Sequence, residues 1–195
     1  MNILKALVLI IASGAVLVGI ALTEHTRSDR WKVKTLADGF HVDTVAVATT
    51  IADQAAVPCP KVGEDVKRLP SEKTLYSLTA RLVEAKKEFD GDYHLILEDP
   101  ASHLRMIAEI PDTTAAASPV YRQDFARART EITKLLGRKP GFLGVHPVGT
   151  CWVQVEGIGF FDEPHIFAPT GTAPNDREIH PVLHIQSLAS APVSN

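Results

Sequence analysis

Cysteine is nearly missing from this chain of 195 residues: Cys59 and Cys151 are its only two, and they form no CxxC pair. That removes the redox motif such a pair would signal. In an oxidising compartment two cysteines so far apart could close one large loop, and in the cytosol they would be two buried thiols. The sequence leaves both open, so Cys59 and Cys151 stand as disulfide candidates. Positive charge is also short, with 20 Lys and Arg against 23 Asp and Glu and a net charge of −3. No global basic field exists to hold nucleic acid or an anionic surface. The chain has no glycine-rich phosphate loop, dinucleotide fingerprint, nucleophile elbow or His-Glu-x-x-His pair. What it does have is ordinary globular composition, 45% hydrophobic and 22% charged, enough for one core with extensions.

One long apolar run stands out. It extends from Ala6 to Leu22, broken only by Ser13 and preceded by Lys5. Its length falls between the core of a signal peptide (about 7–15 residues) and a full membrane span (about 20). Gly19-Ile20-Ala21 places small residues where a signal peptidase reads, and no cysteine follows to take a lipid. Residues 1–22 therefore read as a signal peptide or an N-terminal membrane anchor. The product is expected to be exported, periplasmic or extracellular, or held at the membrane by residues 6–22. Arg27, Arg30, Lys32 and Lys34 just beyond the run are awkward for export. The short run and its cleavage-like end favour export nonetheless.

Residues 23–73 read as an extension or linker. Trp31 to Leu36 alternates enough to predict a short strand, helical turns are expected from Thr49 or Thr50, and Pro58, Pro60 and Pro70 break regular structure. The domain proper is expected at 74–187, with 188–195 a disordered tail. Thr74–Lys86 alternates as a strand, and Asp90-Gly91 is a hairpin signal. Tyr93–Glu98 is a second strand and Leu104–Ile110 a third. Ser118 then caps a helix that Pro119 opens and Gly137 closes, with Tyr121, Phe125, Ala128, Ile132, Leu135 and Leu136 on one stripe. Trp152–Phe161 and Glu178–Ile185 are the last two strands, and Gly157 and Gly159 predict a bend in the first of these. Three strands, a helix and two strands is the element order of the OB-fold, a five-stranded partly open barrel with its helix between strands three and four. A small α+β sandwich is the alternative.

An OB barrel takes ligands across its second and third strands, between two flanking loops. Here those loops are Glu88–Asp92 and Asp162–Arg177, both acidic, which is the wrong sign for a nucleic-acid groove. The second loop is long enough to suggest function. Asp92, His94, Asp162, His165, Asn175, Glu178 and His180 are the candidate ligand-binding residues. Among them His94, Asp162, His165 and His180 form a mixed nitrogen and oxygen set that would suit zinc or another divalent metal. His180 and His184 cannot share an ion, since four residues of strand separate them by about 13 Å. The bland alternative is that these groups are hydrogen-bonding posts for the loop.

Gly91-Asp92-Tyr93-His94-Leu95, Gly159-Phe160-Phe161-Asp162 with His165, and Gly171-Thr172-Ala173-Pro174-Asn175 leading to Glu178-Ile179-His180-Pro181-Val182-Leu183 together resemble a group of small uncharacterised bacterial proteins, many of them exported. The resemblance covers roughly residues 74–187. It departs in the loop, where that group reads His-Gly-Gln-Thr-Gly and this chain has the longer, more apolar His165-Ile166-Phe167-Ala168-Pro169-Thr170-Gly171. It implies the domain bounds and export, and brings no activity. Two functional expectations follow. One is an exported or anchored OB-like binding or structural module for a small ligand, glycan or protein. The other is a metal-dependent hydrolase, nuclease-like chemistry included, built on the His/Asp set.

Overall fold

The computed structural model describes residues 28–116, 118–162 and 171–191. The expected leader at 1–22 and His165 lie outside them. No helix among the described residues is long and apolar enough to cross a membrane.

Five strands close into a barrel. They are β2 (Leu75–Lys87), β3 (Tyr93–Glu98), β4 (Arg105–Ile110), β5 (Trp152–Phe161) and β6 (Arg177–Leu188). Their order is β2-β3-β4-β6-β5, with β5 returning to β2, and the β4–β6 pairing is parallel. That is the OB arrangement. Closure depends on the length of β2: its first half pairs with β5, Leu75 opposite Ile158, and its second half with β3, Lys87 opposite Tyr93. A register shift between Leu82 and Glu84 bends it from one partner to the other. On β5 the register shifts at Gly157 and Gly159. A Cβ on Gly157 would run into the Ile179 side chain and the Pro181 carbonyl, so only glycine lets β6 pass so close.

The interior is filled by alternate residues: Leu78, Ala80 and Leu82 from β2, Leu95 and Leu97 from β3, Met106, Ala108 and Ile110 from β4, Val153 and Val155 from β5. The helix between β4 and β5, α3 (Pro119–Leu136), has Ser118 Oγ accepting from the Tyr121 amide at one end and Gly137 in the left-handed conformation at the other. Phe125, Ala128 and Ile132 are buried in the same core, so the apolar stripe seals against the barrel. Arg129 of α3 is not left to solvent. It lies over the Tyr93 ring and donates to the carbonyls of Ile110, Pro111 and Gly91, clamping the barrel mouth.

Residues 28–73 are packed onto the barrel. Trp31 to Leu36, expected as a strand, instead enters a short helix, α1 (Asp29–Lys34), capped by Ser28 and followed by a turn. Alternation over six residues was a weak pattern. Ser28 at the N-cap, Asp29 in the first turn and Lys32 and Lys34 in the last all favour the helix. Helical turns do form after Thr50, as α2 (Ile51–Ala55), beside a two-residue strand β1 (Val47–Ala48) that pairs parallel with β2. Leu36 and Ile51 join the core. Cys59 is exposed and Cys151 half-buried, and both are free thiols, so the disulfide candidate is not realised. Cys59 sits in an exposed segment where its thiol meets only the next carbonyl, while Cys151 is fixed at the head of β5.

One buried ion pair anchors α1. Arg30 donates through two nitrogens to Glu72, at 3.0 and 2.6 Å, and to the Phe161 carbonyl, while its guanidinium lies over the Phe160 ring. Glu72 also accepts from the amides of Leu69 and Phe161, so its charge is well solvated by protein. Arg30→Met would leave that carboxylate buried without its cation and is expected to cost about 3–5 kcal/mol. Urea unfolding measures it, and a loss below about 1 kcal/mol, the surface-pair range, would contradict the anchoring role.

Candidate functional site

Strand alternation sends one set of side chains into the core and the next onto the outer face. On β3 the outer set after Asp92 is His94 and Ile96; on β4 it is Ile107 and Glu109. On β6 Glu178 and His180 share that face with Phe160 of β5, which stands opposite Glu178. This outer face belongs to the strands that serve OB barrels for ligand contact. It is not open here: α1 lies over it, and Gly171 of the β5–β6 loop comes so close to Ile96 that a Cβ would meet that side chain. Asp92, His94, Glu178 and His180 are each under 5% exposed.

Register brings the polar groups together. His94 stands directly opposite Glu109, and their Nδ1 and Oε1 atoms are 2.9 Å apart. A carboxylate only accepts, so His94 Nδ1 donates this bond. His180 Nδ1 lies 3.4 Å from Glu109 and 3.8 Å from Glu178, and its Nε2 lies 3.7 Å from Asp92. The His180 ring is held against Phe160 at 5.4 Å between centroids. Both Nε2 atoms, of His94 and of His180, are buried with no hydrogen-bond partner. Asp92 is fixed by accepting the Asp112 amide at 2.7 Å. One donor atom from each of Asp92, Glu109 and His180 falls within 4.8 Å of the others.

The charges do not balance. Among the described residues, Lys34 is the lysine paired with these acids, 3.2 Å from Asp90 and 3.9 Å from Asp92. Burial alone would lower the Lys34 pKa, but the charges of Glu109, Asp92, Asp90 and Asp162 raise it above the ordinary lysine range. Burial pushes Asp92 up to about 7, with Asp90 and Glu109 adding to the rise and Lys34 and the Asp112 amide opposing it. Burial, then the charges of Glu109 and Asp162, hold Glu178 well above the usual carboxylate range. Burial, then Lys34, His94 and Arg30, drive His180 well below the usual imidazole value. A neutral imidazole at His180 beside carboxyls poised to lose protons is the state of a site that can take up a cation.

Of the residues chosen from sequence, Asp92, His94, Glu178 and His180 meet. Asp162 stands close enough for its charge to act on Glu178 and Lys34. Asn175 does not join them. Its side-chain amide donates to the carbonyls of Gln54 and Val57, and its Oδ1 accepts the Arg177 amide, so it ties the loop to α2. Of the four-residue metal set, His94 and His180 lie in this cluster, Asp162 acts on it through its charge and His165 is outside the described residues; Glu109 and Lys34 also belong to the cluster and were not chosen. His184 is exposed and apart, as its spacing required. Comparison with protein-family models and with curated proteins finds no match, leaving the geometry as the ground for function.

Asp92 offers a check with a defined sign. Its folded-state pKa lies above the ordinary aspartate value of 3.8, so the stability tied to its proton is present at acid pH and is lost as pH rises toward about 7. Asp92→Asn, which keeps the acceptor for the Asp112 amide, is expected to gain on the parent as pH goes from 5 to 8. Denaturant unfolding at several pH values measures this; a difference that stays constant would contradict the burial-driven shift.

Proposed function

We propose that the chain is an OB-like binding module, exported or held at a membrane through its N-terminal apolar run, and that it takes its ligand on the polar face beneath α1. The observation that supports this most is the chemistry of that face. A covered sheet surface built only for stability would be apolar, because buried carboxylates with too few cations oppose folding. This surface instead gathers Asp92, Glu109, Glu178 and two histidines where OB barrels contact ligands. Sites that serve binding commonly retain such a cost. The acidic rim, with Asp90 and Asp162 beside the face, favours a cationic ligand and disfavours nucleic acid. For location, the apolar run from Ala6 to Leu22 with its small-residue end is the supporting feature.

A second reading, metal-dependent hydrolysis, draws on the same residues. His94 Nε2 favours it, since this is a buried ring nitrogen without a hydrogen-bond partner. Turnover of bis(p-nitrophenyl) phosphate with manganese, lost in His94→Gln, would move the function from binding to catalysis.

The binding reading separates from that of structural posts by stability alone. At pH 8 an unfolded glutamate is ionised, whereas folded Glu178 must hold its proton or bear a buried charge, each at a cost that Glu178→Gln removes; the change is expected to raise the melting temperature of the metal-free protein by about 2–4 °C per kcal/mol gained. If Glu178 is a post, the same change lowers it. Differential scanning calorimetry at pH 8 reads the sign, and a fall would overturn the proposal.

A further inference from the structure

We propose that Asp92, Glu109 and His180 are the protein ligands of one divalent cation, and that Lys34 is a tethered competitor for the same negative field. The inference deepens the binding reading above and rests on it.

Three observations carry it independently of the acidic character of the face. The first is spacing. Donor atoms on an ion with bonds of about 2.0–2.2 Å lie about 3–4 Å from one another. One donor atom from each of Asp92, Glu109 and His180 lies within 4.8 Å of the others, so a small closure of the side chains brings the set onto an ion; His180 offers it either Nδ1, 3.4 Å from Glu109, or Nε2, 3.7 Å from Asp92, but not both. The second is the imidazole itself. His180 is 1% exposed, its Nε2 faces Asp92 without a hydrogen bond, and a buried nitrogen of that kind is costly unless something completes it. The third is the support around the set. His94 donates to Glu109, Glu178 stands 3.8 Å behind His180, and the Asp112 amide fixes Asp92. Hydrogen bonds from a second layer orient ligands and raise their basicity. Two carboxylates and one imidazole suit manganese or zinc better than the hard, all-oxygen preference of calcium.

Lys34 gives the site its particular behaviour. It projects from the last turn of α1 into the same field, paired with Asp90 and Asp92. Its ammonium neutralises one charge where a divalent ion would neutralise two. Cation binding and the seating of Lys34 therefore oppose each other. α1 itself need not leave, because Arg30 and Glu72 hold it independently.

The test uses the full-length chain stripped with a chelator and then titrated with Mn²⁺ and, separately, Zn²⁺, by isothermal calorimetry and manganese EPR. Expected are one ion per chain, affinity weakened at least about 100-fold in Glu109→Gln and in His180→Asn, and affinity about 10-fold tighter in Lys34→Met. Circular dichroism confirms that each variant is folded. Should His180→Asn fail to fold, Glu109→Gln and Lys34→Met still decide the matter, since they move affinity in opposite directions. Absence of binding would overturn the cation while leaving the module reading intact, provided Glu178→Gln still stabilises the metal-free protein. Binding that survives both ligand variants would place the ion elsewhere and overturn the site. Unchanged affinity in Lys34→Met would overturn the competitor.

Discussion

Lys34 extends one ammonium into a buried field set by Asp90, Asp92, Glu109 and Asp162, and much of the arrangement around it follows from that shortage of positive charge. Carboxylates taken out of water need cations, hydrogen-bond donors or protons. Asp92 receives an amide and part of a lysine, Glu109 receives an imidazole, and the remaining demand is met by protons held at Glu178 and Asp92. His180, surrounded by acids yet driven neutral by burial, cannot supply the missing charge. The face is folded but short of positive charge, and the proposed divalent ion would supply it.

Such a face needs a strong frame. The barrel supplies it by closing β2 on both β3 and β5, which removes free edges and fixes the register that sets His94 opposite Glu109. The cover supplies the rest. Arg30 donates two hydrogen bonds to Glu72 below α1, Arg68 reaches the carbonyls of Val33 and Glu72 and pairs with Asp38, and Arg177 joins Gln54 to Ser71 above the Phe161 ring. These are buried or half-buried cations with fixed partners. Charge is balanced around the site and left unbalanced within it.

The barrel was legible because each strand announces itself locally. Asp90-Gly91 makes the first hairpin, the core positions alternate through Tyr93–Glu98, and Ser118, Pro119 and Gly137 mark both ends of α3. Their order then selects the topology. The site was legible only in part. Asp92, His94, Glu178 and His180 could be chosen from residue type and from the faces of predicted strands. Glu109 could have been: the turn after Glu98 pairs it with Arg105, and equal steps back along both strands bring His94 to Glu109. Lys34 could not, because its place depends on α1 folding as a helix and crossing the barrel, a contact more than fifty residues distant in sequence from Asp92. Asn175 has the residue type of a ligand and the role of a loop tie, a difference that only the position of α2 decides.

Anomalous diffraction from crystals grown with manganese tests the central claim most directly. A single anomalous peak bonded to Asp92, Glu109 and His180, with the Lys34 ammonium withdrawn from Asp92, is the predicted result. Density that leaves the face without an ion while manganese binds the protein elsewhere would contradict it.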